Sequence, residues 1–174
     1  MIYNVTKSVF ISDSIYDSYE YYSSRYIFLS SKGKKGVWTW KNNTPDLLFD
    51  DIVVESVRVK NPESGNDYTT TFAKFKRGKH YGLVEIEDIK NEIVPFKYDD
   101  ILYNESFYYT TVKKKLQGAA NSRWDIDIAP KYKSIKQFAR IDLKQNKVFY
   151  FLFEAIDKDG KRVILDKHGK EFRG

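Results

Sequence analysis

Apolar and polar residues alternate with a period of two along most of this chain. Trp38 and Trp40 fall on one side of a pleat, with Val37 and Thr39 on the other. Trp124, Ile126 and Ile128 oppose Asp125 and Asp127. Val57 and Val59 alternate with Arg58 and Lys60, and Val84 and Ile86 with Glu85 and Glu87. This pattern predicts half-buried strands. A second class of segment is rich in aromatic residues: Arg25 to Leu29, Tyr68 to Phe75, Phe107 to Val112, and Val148 to Phe153. The last of these lacks polar alternation and reads as a strand buried on both faces. One stretch departs from period two. Ile135, Phe138, Ala139 and Leu143 recur at helical spacing, which predicts a short helix over 134–146.

The alternation is punctuated by a repeat. Lys35-Gly36-Val37-Trp38 is followed by Pro45 and Phe49-Asp50-Asp51-Ile52, and Tyr81-Gly82-Leu83-Val84 by Pro95 and Tyr98-Asp99-Asp100-Ile101. A weaker copy runs Trp124-Asp125-Ile126-Asp127-Ile128, Pro130, Tyr132-Lys133-Ser134-Ile135. A truncated one closes the chain at Lys161 to Phe172, and Asp13-Ser14-Ile15 with Arg25 to Leu29 reads as the latter half of an earlier unit. Proline is confined to strand starts and sheet edges, and glycine supplies the positive φ of tight hairpins, so these residues mark turns. Repetition of this kind points to stacked units sharing a core. The expected architecture is all-β: imperfect tandem repeats of antiparallel hairpin or three-strand units. They stack into one elongated or barrel-like domain over 1–174, with at most one short helix. Read from turn to turn, the units cover 1–31 in part, 32–76, 77–115, 116–156, and 157–174 in part.

Lys79-His80-Tyr81-Gly82-Leu83-Val84, followed by Ile93-Val94-Pro95-Phe96-Lys97-Tyr98-Asp99-Asp100-Ile101, resembles the WG repeat. That pattern runs Gly-Lys-Trp-Gly-Leu-Ile-Asp, a Gly-Lys turn, two apolar residues, Pro and Tyr-Asp-x-Ile. Lys35 to Ile52 resembles it next best, and Lys161 to Phe172 resembles its first half, with Val163 in the place of glycine. Tyr81 and Lys35 stand where the family has its tryptophan, and Trp124 is followed by no glycine. The resemblance implies an all-β repeat protein without a catalytic site that acts as a protein-interaction module.

Composition narrows the chemistry. With 174 residues the chain has the length of one domain and can bury a core without staples. It has no cysteine, which excludes disulfides, zinc–thiolate sites and cysteine nucleophiles, and fits a reducing compartment. The first ten residues show no basic segment leading into an apolar one, so a cytoplasmic location is expected. The longest apolar run, Val148 to Phe153, is far short of the ~20 residues needed to cross a bilayer. Sequons beginning at Asn4, Asn42 and Asn104 then read as chance. The net charge of +6 comes from 30 basic and 24 acidic residues, a mixed surface tilted toward acidic partners.

Catalytic chemistry finds little support. His80 and His168, the only histidines, each stand beside a lysine in a basic turn. No phosphate loop, dinucleotide fingerprint, Gly-x-Ser-x-Gly elbow or His-Glu-x-x-His occurs. Asp50-Asp51 and Asp99-Asp100 could serve as metal ligands or acid–base pairs, but neighbours on a strand point to opposite faces. Their recurrence at one repeat position favours a structural role, the first Asp accepting backbone hydrogen bonds at a bend. Asp157-Lys158-Asp159-Gly160 lacks an EF-hand's ligand spacing and reads as a hairpin turn. No catalytic residue, metal or cofactor is therefore expected.

Binding has better candidates. The chain holds 14 Tyr, 12 Phe and 3 Trp, more rings than a domain of this size readily buries. Tyr16, Tyr19, Tyr21 and Tyr22 crowd a serine-rich stretch, and tyrosine among serines is the composition of a recognition surface. Together with Trp38 and Trp40 these form the expected binding set. The expected function is recognition of a protein partner, with a cytoplasmic immunity protein that neutralises a cognate toxin as one concrete version. The alternative is a nucleic-acid-binding module. It would use the basic turns around Lys32 to Lys35, Lys74 to Lys79, Lys113 to Lys115 and Lys158 to Arg162.

Overall fold

The computed structural model describes residues 2–4, 9–12, 16–23, 26–39, 46–60, 67–104, 108–143 and 148–172. In chain order the strands are β1 (Ile2–Asn4), β2 (Val9–Ser12), β3 (Ser18–Ser23), β4 (Tyr26–Ser31), β5 (Lys34–Thr39), β6 (Asp51–Lys60), β7 (Asp67–Arg77), β8 (His80–Glu85) and β9 (Asp88–Tyr98). They continue with β10 (Asp100–Tyr103), β11 (Tyr109–Lys113), β12 (Leu116–Asn121), β13 (Ile126–Tyr132), β14 (Ser134–Leu143), β15 (Val148–Ile156), β16 (Arg162–Leu165) and β17 (Glu171–Phe172). The fold is all-β. Beside the two-stranded β1–β2 ribbon stand four antiparallel meanders: β3 to β5, β6 to β9, β10 to β13 and β14 to β17. They are called the first to fourth sheets below.

Each joint between successive sheets is the aromatic-x-x-Ile element of the repeat. Phe49 bridges back to Lys35 at the rim of the first sheet, and Asp51 opens the second. Tyr98 ends the second sheet and Asp100 opens the third; Tyr132 ends the third and Ser134 opens the fourth. The aromatic ring and the isoleucine of each joint are buried in the layer between the two sheets they connect. Phe49 and Ile52 pack with Phe28, Val37, Phe75 and Val84. Tyr98 and Ile101 pack with Phe72, Leu83, Val94 and Ala120, and Tyr132 and Ile135 with Ile128, Phe153 and Leu165. The second and third sheets are consequently buried on both faces. Alternation along a strand sends Val37, Leu83 and Ala119 toward the following sheet, while Val84, Ala120 and Leu165 face the preceding one.

The backbone repeats as closely as the packing. The N–H just after the joint aromatic donates to a carbonyl at the end of the next sheet's second strand: Asp50 to Lys76 (2.9 Å), Asp99 to Val112 (2.8 Å) and Lys133 to Ile156 (2.7 Å). Asp17, following Tyr16, does the same to Ser30 at 2.8 Å, so Tyr16-Asp17-Ser18 is a fourth copy of the joint. The isoleucine N–H is also capped each time. Ile52 and Ile101 donate to the Oδ1 atoms of Asp51 (2.9 Å) and Asp100 (2.8 Å). Ser134 replaces that aspartate at the last joint, and there Ile135 donates to Gln117 Oε1 at 3.2 Å. Pro95 and Pro130 lie in β9 and β13, the outer strands of their sheets, where no ladder needs their missing N–H.

Three expectations are corrected. Residues 134–143 form β14 rather than a helix, because Phe138 is an extra residue between the Gln137–Phe153 and Ala139–Leu152 pairs. This bulge turns a spacing of two into the spacing of three that resembled a helical face. Second, the sheet boundaries fall at Asp50, Asp99 and Lys133, so the units read as 32–76, 77–115 and 116–156 each straddle two sheets; the first sheet has three strands and the second, third and fourth have four. Third, the glycine of the third copy is not missing. Gly118 pairs with Thr111 as Gly36 does with Leu29 and Gly82 with Phe75. The 3₁₀ turn Ser122–Trp124 separates it from the strand in which the copy was recognised.

Candidate binding surfaces

The joints place the hairpin turns of the four sheets side by side. Asp17 Oδ2 accepts the Lys32 amide at 2.7 Å, Asp50 Oδ2 the Gly78 amide at 2.5 Å, and Asp99 Oδ2 the Lys114 amide at 2.7 Å. Asp50 also pairs with Lys34 of the preceding turn, and Asp99 lies 3.9 Å from His80 of its preceding turn. Asp50 thus ties the turn of one sheet to the turn of the next, while Asp99 bonds the following turn and lies near His80 of the preceding one without a hydrogen bond to it. At the last joint the aspartate becomes Lys133, and the preceding turn offers Leu116 where the others have Lys34 and His80. The fourth turn caps itself instead: Asp157 Oδ1 accepts the amides of Asp159 (2.9 Å) and Lys161 (2.8 Å). The result is one row of basic turns along one edge of the stack, with aspartates between the rungs.

This arrangement settles what the acidic pairs do. Asp50 serves the turns, whereas Asp51 binds Lys35 at 2.6 Å and Asp100 binds Lys74 at 2.6 Å. Lys74 is itself buried, with Nζ 2.5 Å from Glu55 and 5.3 Å from the Tyr81 ring centroid, so it fastens the second sheet to the third. Burial pulls its ammonium pKa down, but the bonds to Asp100 and Glu55 outweigh this and leave it raised. The carboxyls of a pair have different partners, as opposite-facing neighbours should. The first aspartate accepts amides from across the stack rather than from its own bend. Among the described residues no group of three or more histidine and carboxylate side chains could hold a metal ion.

Asp50 is held below its usual 3.8 by the Lys34 hydrogen bond and then the Gly78 amide, and Asp51 by Lys35. Carboxyls depressed on folding add stability above about pH 4 that is lost as pH falls through their lower folded values. We therefore expect a chain carrying both Asp50→Asn and Asp51→Asn to show a flatter fall of melting temperature between about pH 4 and 2 than wild type. Parallel melting curves across that range would contradict the role given to these two groups.

The aromatic candidates divide. Tyr19 and Tyr21 are 73% and 68% exposed on β3, the outer strand of the first sheet. They pair with Leu29 and Ile27 and so extend the face on which those residues lie. Tyr22 points to the opposite face, stacks on Phe28 at 5.0 Å and donates to the Thr71 carbonyl at 3.3 Å. Tyr16 packs half-buried against Leu29 and Trp38. Trp38, 7% exposed in that same cluster, is packed among Leu29, Ile27 and Leu47 and offers little contact surface. Trp40 lies outside the described residues. Sequence reasoning missed the alignment of the turns, whose signal was the aspartate recurring after each joint aromatic, Tyr16-Asp17 included.

Comparison with known protein families, curated proteins and solved structures finds no match. Among the described residues no helix is long and apolar enough to cross a membrane.

Proposed function

We propose that this protein is a non-enzymatic binding module of WG-repeat-like character that recognises a protein partner through the exposed tyrosines of its outer strand β3, Tyr19 and Tyr21. The observation that carries this reading is the Tyr19–Tyr21 pair. Two large rings stand on one face of an outer strand with most of their area in solvent. Tyrosine gives a large contact area at small entropic cost, and such rings concentrate binding energy at interfaces. Among the described residues β3 pairs on one side alone, with β4, and its other side offers main-chain groups that an extended segment of the partner could pair with. A cognate toxin met in the cytoplasm is the concrete partner this reading favours.

The test is a Tyr19→Ala/Tyr21→Ala double variant. Its unfolding midpoint should match wild type, since exposed substitutions change stability by about 0.5 kcal/mol or less. Its affinity for a partner purified by capture on wild type should fall by about 2 kcal/mol or more, roughly thirtyfold. If the partner is a toxin, the double variant should also lose protection of a host expressing it. Unchanged affinity, or no protein bound by wild type, would overturn the reading.

A further inference from the structure

Three of the four non-glycine residues with positive φ among those described are lysines at hairpin tips: Lys32 (51°), Lys114 (52°) and Lys115 (65°). The left-handed region costs an L-residue about 1–2 kcal/mol, and a two-residue turn of this hand favours Asn-Gly. The β11–β12 turn nevertheless places lysine at both central positions and a third lysine, Lys113, beside them. All three are exposed, and none pairs with a carboxylate among the described residues. Stability is given up at this turn and like charges are crowded, so charge rather than turn geometry decides the residues here. Strain kept in this way marks sites of use.

The turn is the middle of a longer feature. Lys32, Lys79, Lys114 and Lys158 stand at successive tips of the aligned row, all exposed. The aspartates between them direct oxygens to backbone amides. The cations of the tips are ammonium groups; of the guanidiniums flanking the turns, Arg77 is held by Glu92 at 2.9 Å and lies over the Phe96 ring, and Arg162 is held by Glu154 at 2.7 Å. Protein interfaces favour arginine and deplete lysine, and arginine is the residue that grips carboxylates in a fork. Lysine is a point charge suited to phosphates met without fixed geometry. We infer that the row of hairpin tips is a docking edge for the phosphate backbone of a nucleic acid, bound without regard to base sequence and separate from the Tyr19–Tyr21 face.

The experiment uses the full chain and fluorescein-labelled oligothymidylate, with a random-sequence DNA duplex as a second probe. Binding should weaken steeply as salt rises from about 50 to 200 mM. A Lys113→Gln/Lys114→Asn/Lys115→Gly variant removes three charges and relieves the turn. It should melt no lower than wild type, bind about a hundredfold more weakly at 0.1 M salt, and lose about 2 to 3 from the salt slope. Lys90→Gln, a change away from the row, should leave binding intact. The inference fails if neither probe binds at low salt, if the triple variant binds as wild type does, or if polyglutamate competes as well as nucleic acid. The last outcome would assign the row to an acidic protein.

Discussion

Replacing Tyr98 by alanine should destabilise the protein by about 4 kcal/mol, the range for deleting a large buried ring. The ring is 1% exposed and closes the second sheet against Ile101, Leu83 and Val94 at the joint to the third. Its loss empties a space walled by two sheets that are themselves fixed by ladders, so little collapse can fill the cavity. In a domain of this size the melting temperature should drop by about 10 °C, at 2–4 °C for each kcal/mol. Tyr19→Ala, which removes a similar ring from the surface, should change stability by about 0.5 kcal/mol or less. Thermal and denaturant unfolding of the two variants checks the contrast. Similar losses in both would mean that the joint is not where the layers are held together.

Gly118→Ala should cost about 3 kcal/mol, at the upper end of what overpacking usually costs. An added Cβ would lie 2.2 Å from the Ile128 carbonyl oxygen and 2.7 Å from Pro130 N, both backbone atoms of the neighbouring strand β13. No side-chain rotation can relieve that contact; the β12–β13 ladder must part. The same change at Gly82 meets the ring of Phe96 at 2.7 Å, which can move, so a smaller loss of about 1–2 kcal/mol is expected. At Gly33 nothing stands within 4 Å, and only its φ of 72° opposes alanine, at about 1 kcal/mol. Chemical denaturation should rank the three in that order. A Gly118→Ala protein as stable as Gly33→Ala would remove the close strand approach from the account.

These two positions show what the sequence disclosed. Tyr98 belongs to a spaced, recurring element and was legible as structural at once. Gly118 was not, because Gln117 stands where tryptophan would draw the eye and Trp124 draws it instead. The phase of the repeat was hidden for a related reason: turns and joints recur with the same period, and nothing in the pattern says which of them begins a sheet. The helix expected near Ile135 arose from one inserted residue, Phe138, which changes the local period without changing the backbone class. Of the aromatic candidates, Tyr19 and Tyr22 are alike as residues three apart in one serine-rich strand. Only the pairing of β3 with β4 tells which faces outward. The binding surface was therefore legible as a composition, and the side chains that form it were not.

The joint aspartates explain why the row of turns could not be read from its lysines. Lysines at turns are commonplace, since they keep edges soluble and unpaired. Their alignment comes from backbone bonds made by Asp17, Asp50, Asp99 and Lys133 to strands of the following sheet. The change at the last joint is instructive: when aspartate gives way to Lys133, the basic partner before it becomes Leu116 and the next turn brings its own Asp157. Charge, turn and joint vary together within one chain.

The hairpin tips of the stacked sheets form one row, and the chain, having no cysteine, allows this to be measured directly. Label pairs attached through Lys32→Cys with Lys79→Cys, with Lys114→Cys and with Lys158→Cys report the distances along the row. Sheets packed face to face lie about 10 Å apart, so the three separations should rise in chain order, by roughly that amount at each step. Separations that do not increase in chain order, with the first pair as far apart as the last, would contradict the aligned row and the surfaces argued from it.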